Sequence, residues 1–237
     1  MRRGGEGGPL LLLLHGLGAT AEVWNGWVPL LADAWPGRWV APDLPGHGGS
    51  PKLTAYTFEG LAAAVAPLVD EGGTVVFGHS LGGVVGLALQ RVRAVVGLGI
   101  KVEWSADDLQ RARALSERPP VWFATRDEAA ARYLRVSGLA GLVDADDPAV
   151  DHGLVERDGQ WGLALDAAAF AVGAPDMPGL LAATDATVVL ARGANDPMNT
   201  DEQLTKLGAT PVTMAGVGHN AHVEDPAACL ELLRPFG

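Results

Sequence analysis

The residue of this 237-residue chain whose setting most clearly supports chemistry is Ser80, in the stretch Gly78-His79-Ser80-Leu81-Gly82. The stretch fits the pattern G-x-S-x-G and lies between two apolar segments. Where a strand ends in this pattern and a helix begins, a sharp turn presents the serine as a nucleophile. A chain with 32 glycines matches the pattern by chance about one time in ten. The pattern therefore needs support from a base and an acid elsewhere in the chain.

A nucleophilic serine needs a base to take its proton, and the base needs a carboxylate to orient it. After a G-x-S-x-G serine, the acid and then the histidine are expected to follow in the chain. His219, in the glycine-rich loop after the last predicted strand, is favoured as the base, and His222 is given a structural role. Asp196, just past the end of a strand, is favoured as the acid and also suits an Asx turn before a proline. Glu103 is the alternative acid, because it too follows a predicted strand.

Two backbone N–H groups are candidates to stabilise an oxyanion. Leu81 begins the helix after the serine, and Leu17 lies in the glycine-rich loop "HGLGAT" after an earlier strand. Three tryptophans are candidates for the substrate pocket. Trp24 and Trp27 are the expected acyl-pocket walls because they follow that loop, and Trp104 lies near the predicted mouth. Core packing is the competing interpretation for each tryptophan.

No metal or cofactor is expected, because the chain has neither an H-E-x-x-H motif nor a cysteine pair. The loop "APDLPGHGGS" lacks the spacing of the phosphate-binding patterns, so Asp43 and His47 are expected to serve its folding. His15 is expected to brace the neighbouring loop. The only cysteine, Cys229, is predicted to be a buried thiol on the last helix.

The elements that must position these residues alternate between short apolar runs and longer helical segments, which predicts an α/β fold with a mostly parallel central sheet and flanking helices. The predicted strands are 10–15, 38–42, 74–78, 94–100, 187–192 and 210–215. The predicted helices are 21–34, 58–71, 81–90, 201–207 and 226–233. The alternation stops between about 103 and 183, where amphipathic helices and a hairpin turning at Asp158 and Gly159 are predicted. We therefore expect a core of 1–102 and 184–237, with 103–183 as an inserted, mainly helical subdomain.

The composition of the chain limits which binding partners and which cellular location are expected. The net charge of −11 and the isoelectric point near 4.9 argue against nucleic acid or an anionic membrane as partner. The five-leucine run near the N-terminus is too short for a secretory signal. A small-molecule acyl substrate, a cytoplasmic location, and a monomer or small homo-oligomer are expected, with the single cysteine fitting a reducing compartment.

Five segments of the chain, taken in order, resemble the signature segments of the α/β-hydrolase superfamily. They are "HGLGAT", "DLPGHGGS", "GHSLGG", "RGANDPM" and "GVGHNAHVEDP". The resemblance implies Ser80 as nucleophile, His219 as base, Asp196 as acid, and Leu17 and Leu81 as oxyanion donors. It also implies that 103–183 forms a cap over the pocket. Family members usually begin with an antiparallel strand pair, and only nine residues precede the first apolar run here, so the N-terminal edge of the sheet is expected to be shortened.

The function predicted from these residues is serine-dependent hydrolysis of a carboxylic ester, lactone or thioester of a small molecule through an acyl-enzyme, without a cofactor. One alternative is carbon–carbon bond hydrolysis or lysis, as in the meta-cleavage and menaquinone-pathway enzymes that share the scaffold. Arg126, Arg132 and Arg135 are candidates for the polar groups which that chemistry needs from the cap. A second alternative, from another class, is a small-molecule receptor with low turnover.

Overall fold

The computed structural model describes residues 1–71 and 73–237, and within them the chain forms nine β-strands and nine α-helices. The strands are β1 Arg2–Gly4, β2 Leu10–Leu14, β3 Trp39–Ala41, β4 Thr74–His79, β5 Ala94–Leu98, β6 Leu154–Arg157, β7 Gln160–Leu163, β8 Thr187–Gly193 and β9 Val212–Met214. The α-helices are α1 Val28–Ala34, α2 Phe58–Val65, α3 Leu81–Ala88, α4 Ala106–Ser116, α5 Arg126–Val136, α6 Met177–Ala183, α7 Asp201–Lys206, α8 Ala221–Glu224 and α9 Pro226–Glu231.

The central sheet has the strand order β1-β3-β2-β4-β5-β8-β9, and all its pairings except β1 with β3 are parallel. All six predicted strands are present. The predicted helix over 21–34 differs in its first half, because Ala21–Trp27 is a 3₁₀ helix and α1 starts only at Val28. The expected shortening of the N-terminal edge is confirmed. A single three-residue antiparallel strand, β1, stands there, and its pairing with β3 was not predicted.

Both faces of the sheet are covered, as the unbroken run of five leucines in β2 predicts. Successive side chains of a strand point to opposite faces. Leu11 and Leu13 accordingly pack in one core cluster, whereas Leu12 and Leu14 pack in the other. Each buried leucine contributes about 1.5–3 kcal/mol to the free energy of folding. The carboxyl end of β2 is therefore firmly fixed, and the loop that follows it is held in place.

Trp24 and Trp27 lie in this core, and the prediction that they form the acyl-pocket walls is wrong. Both side chains are fully buried in the cluster of Leu11 and Leu13. Their rings meet edge to face with centroids 4.9 Å apart, and Trp27 also packs on Phe77 of β4. Trp27 Nε1–H donates to the carbonyl of His222 at 2.8 Å, and neither indole lines the cavity that contains Ser80.

The chain between β5 and β8 contains α4, α5, the β6–β7 hairpin and α6. The hairpin turns at Asp158 and Gly159, whose φ angles of 52° and 74° fit a tight two-residue turn, as predicted. Helix α5 and the hairpin share a small core of their own that includes Tyr133 and Leu154, whereas α6 packs into the core cluster of Leu12 through Met177. The division into a core and an inserted subdomain at 103 and 183 stays a prediction. In residues 1–71 and 73–237, no helix is long and apolar enough to cross a membrane.

Candidate active site

Ser80 lies on the turn between β4 and α3, with a φ of 49° and a ψ of −114°. A positive φ is rare for a non-glycine residue and costs on the order of 1–3 kcal/mol, so the surrounding structure must hold it. The Ser80 N–H donates to the carbonyl of Leu98 on β5 at 2.8 Å. Gly78 and Gly82 allow the close approach on either side, because a Cβ on Gly78 would collide with the carbonyl of Gly82, and one on Gly82 with that of Leu14. This is the geometry that the G-x-S-x-G pattern predicts.

His219 and Asp196 form a hydrogen-bonded pair. The His219 Nδ1 lies 3.0 Å from Oδ2 and 3.1 Å from Oδ1 of Asp196, whose side chain is fully buried. An N–H at Nδ1 that donates to this carboxylate leaves Nε2 free to accept a proton. Asp196 Oδ1 also accepts from the N–H of Met198 at 2.8 Å, so the carboxylate completes the predicted Asx turn as well.

Glu103, the alternative acid, lies elsewhere. Its exposed carboxylate accepts from Gln203 Nε2 at 3.0 Å and lies 3.9 Å from Lys206 Nζ, both on α7. The side chain follows β5 as predicted but turns toward the neighbouring helix. Asp196, and not Glu103, is the carboxylate that contacts His219.

Ser80 and His219 line one cavity of about 280 Å³, which we call the serine cavity. Leu17 and Leu81, the predicted oxyanion donors, line it too, and so does Trp104. The N–H of Leu81 begins α3 and has no partner within the helix, because the first N–H groups of any helix lack one. The structure therefore brings the predicted nucleophile, base and backbone donors to a single space.

No role was predicted for His79, although it directly precedes Ser80 in the G-x-S-x-G motif. Its Nε2–H donates to the backbone carbonyl of His219 at 3.0 Å, and its ring stacks on that of His222 with centroids 4.1 Å apart. Burial, together with the neighbouring histidines, lowers the pKa of His79 well below its ordinary value. Burial likewise lowers the pKa of His222 to about 3. The neutral His79 thus holds the backbone of His219, and the neutral His222 packs on His79, which agrees with a structural role for His222.

These buried histidines predict a loss of stability in mild acid. Below pH 6.5 the unfolded chain binds protons at His79 and His222 that the folded chain does not, so the free energy of unfolding falls as pH falls. The expected loss is about 2 kcal/mol per histidine between pH 7 and pH 5. Urea unfolding midpoints at both pH values measure it. The variant His222→Phe should show a smaller loss, and equal pH dependence in variant and wild type would contradict the assignment.

The loop that carries Leu17 is braced by His15, as predicted. The His15 Nε2 accepts from the N–H of Leu44 and its Nδ1–H donates to the carbonyl of Gly16, both at 2.8 Å. Burial lowers the pKa of His15 to about 3, which keeps the ring neutral and able to accept. Asp43 Oδ1 accepts from the N–H of Ala21 at 2.8 Å, so Asp43 has a structural contact too.

Cys229 is buried in α9, as predicted, with its Sγ 3.9 Å from the sulfur of Met214. Burial raises the pKa of the thiol, so it stays protonated and unreactive. Over residues 1–71 and 73–237, no group of three or more His, Cys, Asp and Glu side chains has the arrangement of a metal site.

The chain belongs to the alpha/beta hydrolase family, whose model matches residues 11–232. A pimeloyl-[acyl-carrier protein] methyl ester esterase of Methylococcus capsulatus is 41% identical over 85 residues, which are 36% of this chain and 32% of that protein. Lipase LipV of Mycobacterium tuberculosis is 32% identical over 164 residues, which are 66% of this chain and 60% of that protein. The chain thus matches less than two thirds of the length of either relative.

Solved structures agree on the fold. An E-2-(acetamidomethylene)succinate hydrolase superposes with a TM-score of 0.81 at 23% identity, over 98% of this chain and 92% of that one. An esterase from Mycobacterium tuberculosis superposes with a TM-score of 0.74 at 26% identity, over 96% of this chain and 83% of that one. The architecture inferred from the sequence is therefore that of known hydrolases.

Proposed function

We propose that the protein is a serine hydrolase that cleaves a carboxylic ester, lactone or thioester of a small molecule. The observation that carries the proposal is that His219, which is hydrogen-bonded to Asp196, lines the same cavity as Ser80. The strained backbone of Ser80 adds support, because such strain gathers at functional sites. The names of the relatives, a methyl ester esterase and a lipase, agree with ester chemistry.

The reaction follows from the roles of these groups. Ser80 Oγ attacks the ester carbonyl carbon while His219 Nε2 takes the hydroxyl proton, and Asp196 stabilises the resulting imidazolium. The N–H groups of Leu17 and Leu81 hold the oxyanion. Collapse of the tetrahedral intermediate breaks the bond to the alkoxy group, which leaves as the alcohol with the proton from Nε2. Water then attacks the acyl-enzyme by the same route and releases the acid.

The serine cavity is suited to an acyl group of modest size. Phe58, Val84 and Trp104 give it apolar walls, and its volume is close to the lower end of the range for small-molecule sites. The last residue of α5, Val136, also contributes to the lining, and so does Gly138 just after the helix. We propose that 103–183 acts as a cap, and that substrate choice depends on the side chains it adds to these walls.

A fluorophosphonate probe tests the nucleophile directly. We expect the folded wild type to be labelled at Ser80, because the probe phosphorylates an activated serine hydroxyl. Peptide mapping by mass spectrometry locates the label. The proposal fails if the wild type is not labelled, or if the label is on another serine.

A panel of 4-nitrophenyl esters of increasing acyl length then tests the reaction. Turnover that stops after prior labelling supports ester hydrolysis at Ser80. Cleavage of a vinylogous diketone with no turnover of any ester would instead favour carbon–carbon bond hydrolysis. Binding of an ester without turnover would favour a receptor.

A further inference from the structure

A second cavity, of about 370 Å³, adjoins the serine cavity. It is an open cavity lined by the chain after α4, by α5 and by the strand β7. Arg135, Val136 and Phe170 line both cavities, so the two spaces are neighbours with these residues in common. The Arg135 side chain is exposed, so the boundary between the two spaces is formed in part by a residue at the surface. Together the cavities have the volume of an ordinary small-molecule site.

The second cavity is cationic, and we call it the arginine cavity. Arg118, Arg132 and Arg135 line it. Among the described residues, no aspartate or glutamate lines either cavity, although the chain has 28 acidic and 17 basic residues. Positive charge is thus concentrated where an anionic substrate would enter an otherwise acidic protein.

The arginines of this cavity lack internal counter-ions. Within the described part of the chain, no carboxylate lies within 4.0 Å of Arg118, Arg132 or Arg135. Arg126, on the same helix as Arg132 and Arg135, shows the contrast, because its guanidinium donates to Asp151 at 2.7 Å. Of the three arginines that the sequence suggested as cap groups, Arg126 is used in this ion pair, whereas Arg132 and Arg135 stay available to a ligand.

The remaining walls of the arginine cavity are apolar. Trp122, Phe123 and Phe170 line it, together with Val121 and Leu163. An apolar cavity with cations along it suits a molecule with a hydrocarbon body and an anionic end. Binding removes the apolar surface of the body from water, and the anionic end pairs with guanidinium groups.

We propose that the arginine cavity binds the distal part of the substrate, an apolar chain that ends in a carboxylate or a phosphate. The inference rests on the proposed function, since it places the reacting ester in the serine cavity and the anionic group with Arg132 and Arg135. Guanidinium forks match both anions, so carboxylate and phosphate share the same recognition.

Calorimetry with ligands that cannot be hydrolysed tests the binding. The probes are octanoate, octyl phosphate and the neutral octanamide, titrated into the wild type and the variants Arg132→Gln and Arg135→Gln. We expect the anions to bind more tightly than the amide, and each variant to weaken anion binding about tenfold. The relative affinities of octanoate and octyl phosphate identify the preferred anion. The matched control is Arg113→Gln on α4, whose side chain pairs with Glu117 outside the cavity and should leave the affinities unchanged.

Equal affinity for octanoate and octanamide, or anion binding that both cavity variants retain, would overturn the inference. Salt provides a second measurement that needs no variant. Octanoate binding should weaken with added salt more than octanamide binding does, because salt screens exposed charges.

Kinetics with a series of esters test whether the two cavities bind one substrate molecule. Mono-4-nitrophenyl esters of dicarboxylic acids are compared with neutral 4-nitrophenyl esters of the same length. We expect the ratio of kcat/KM for anionic over neutral esters to rise with chain length in the wild type and to fall about tenfold in Arg132→Gln. A ratio that does not depend on Arg132 would count against the inference. If no ester is hydrolysed and Ser80 is not labelled, the proposed function fails, whereas the calorimetric result still decides the anion site.

Discussion

Replacement of Ser80 by alanine is expected to lower kcat for ester hydrolysis by about 10⁴- to 10⁶-fold. The variant loses the attacking oxygen, whereas the oxyanion donors and the pocket remain, so a small residual rate above that in water is expected. The Ser80 side chain caps no N–H group of α3, and the fold should therefore survive its loss. Steady-state kinetics with the best 4-nitrophenyl ester, together with a thermal unfolding curve, measure both effects.

Ser116→Ala is a matched control for this substitution. Ser116 lies at the end of α4, where its hydroxyl donates to the carbonyl of Arg113, and it does not line the serine cavity. We expect its kcat to equal that of the wild type. A Ser80→Ala variant as active as Ser116→Ala would rule out the nucleophile, and with it the acyl-enzyme route.

The positions of Ser80, Asp196 and His219 in the fold could be predicted because each residue follows a strand that the sequence reveals. A serine between glycines after an apolar run fixes a strand, a turn and a helix within a few residues. Asp196 and His219 each follow a strand of the same parallel sheet, so their meeting at its carboxyl edge follows from topology alone. The choice between Asp196 and Glu103 was less certain from sequence, because both follow strands. In the structure the two side chains point in different directions, Asp196 toward His219 and Glu103 toward α7.

The walls of the two cavities could not be predicted, because they depend on contacts between residues distant in the chain. Trp24 and Trp27 follow the Leu17 loop directly, yet the 3₁₀ geometry turns them into the core. Sequence proximity to a catalytic loop was therefore a poor guide to pocket position. Arg135 lies more than fifty residues after Ser80 in the chain, yet it lines the serine cavity through packing that no local pattern reveals.

His79 and His222 show the same limit of prediction from sequence. His79 supports His219 through a hydrogen bond between residues 140 positions apart. The sequence signal for His79 is its place directly before Ser80 in the motif. The contact of His79 with His219 depends on tertiary packing. The buried setting that lowers its pKa is likewise a property of the assembled fold.

Asp196→Asn should lower kcat by about 10⁴-fold while leaving the protein folded. The asparagine Oδ1 can still accept from the N–H of Met198, so the Asx turn remains. Its amide N–H₂ now donates to His219 Nδ1, which forces the proton onto Nε2. Nε2 then has no lone pair to accept the proton of Ser80, and no negative charge is present to stabilise an imidazolium. Kinetics with a short neutral ester and a thermal unfolding curve measure activity and fold separately.

The matched control is Glu103→Gln, which also replaces one carboxylate by an amide. The Glu103 side chain faces Gln203 and Lys206 on α7, so its loss removes only exposed contacts and should leave kcat unchanged. Wild-type kcat in Asp196→Asn would show that the contact with His219 does not orient the base. A large loss in Glu103→Gln with an unchanged Asp196→Asn would transfer the role to Glu103. Because the two substitutions make the same chemical change and the unfolding curves control for burial, a lower rate in folded Asp196→Asn is attributed to its contact with His219.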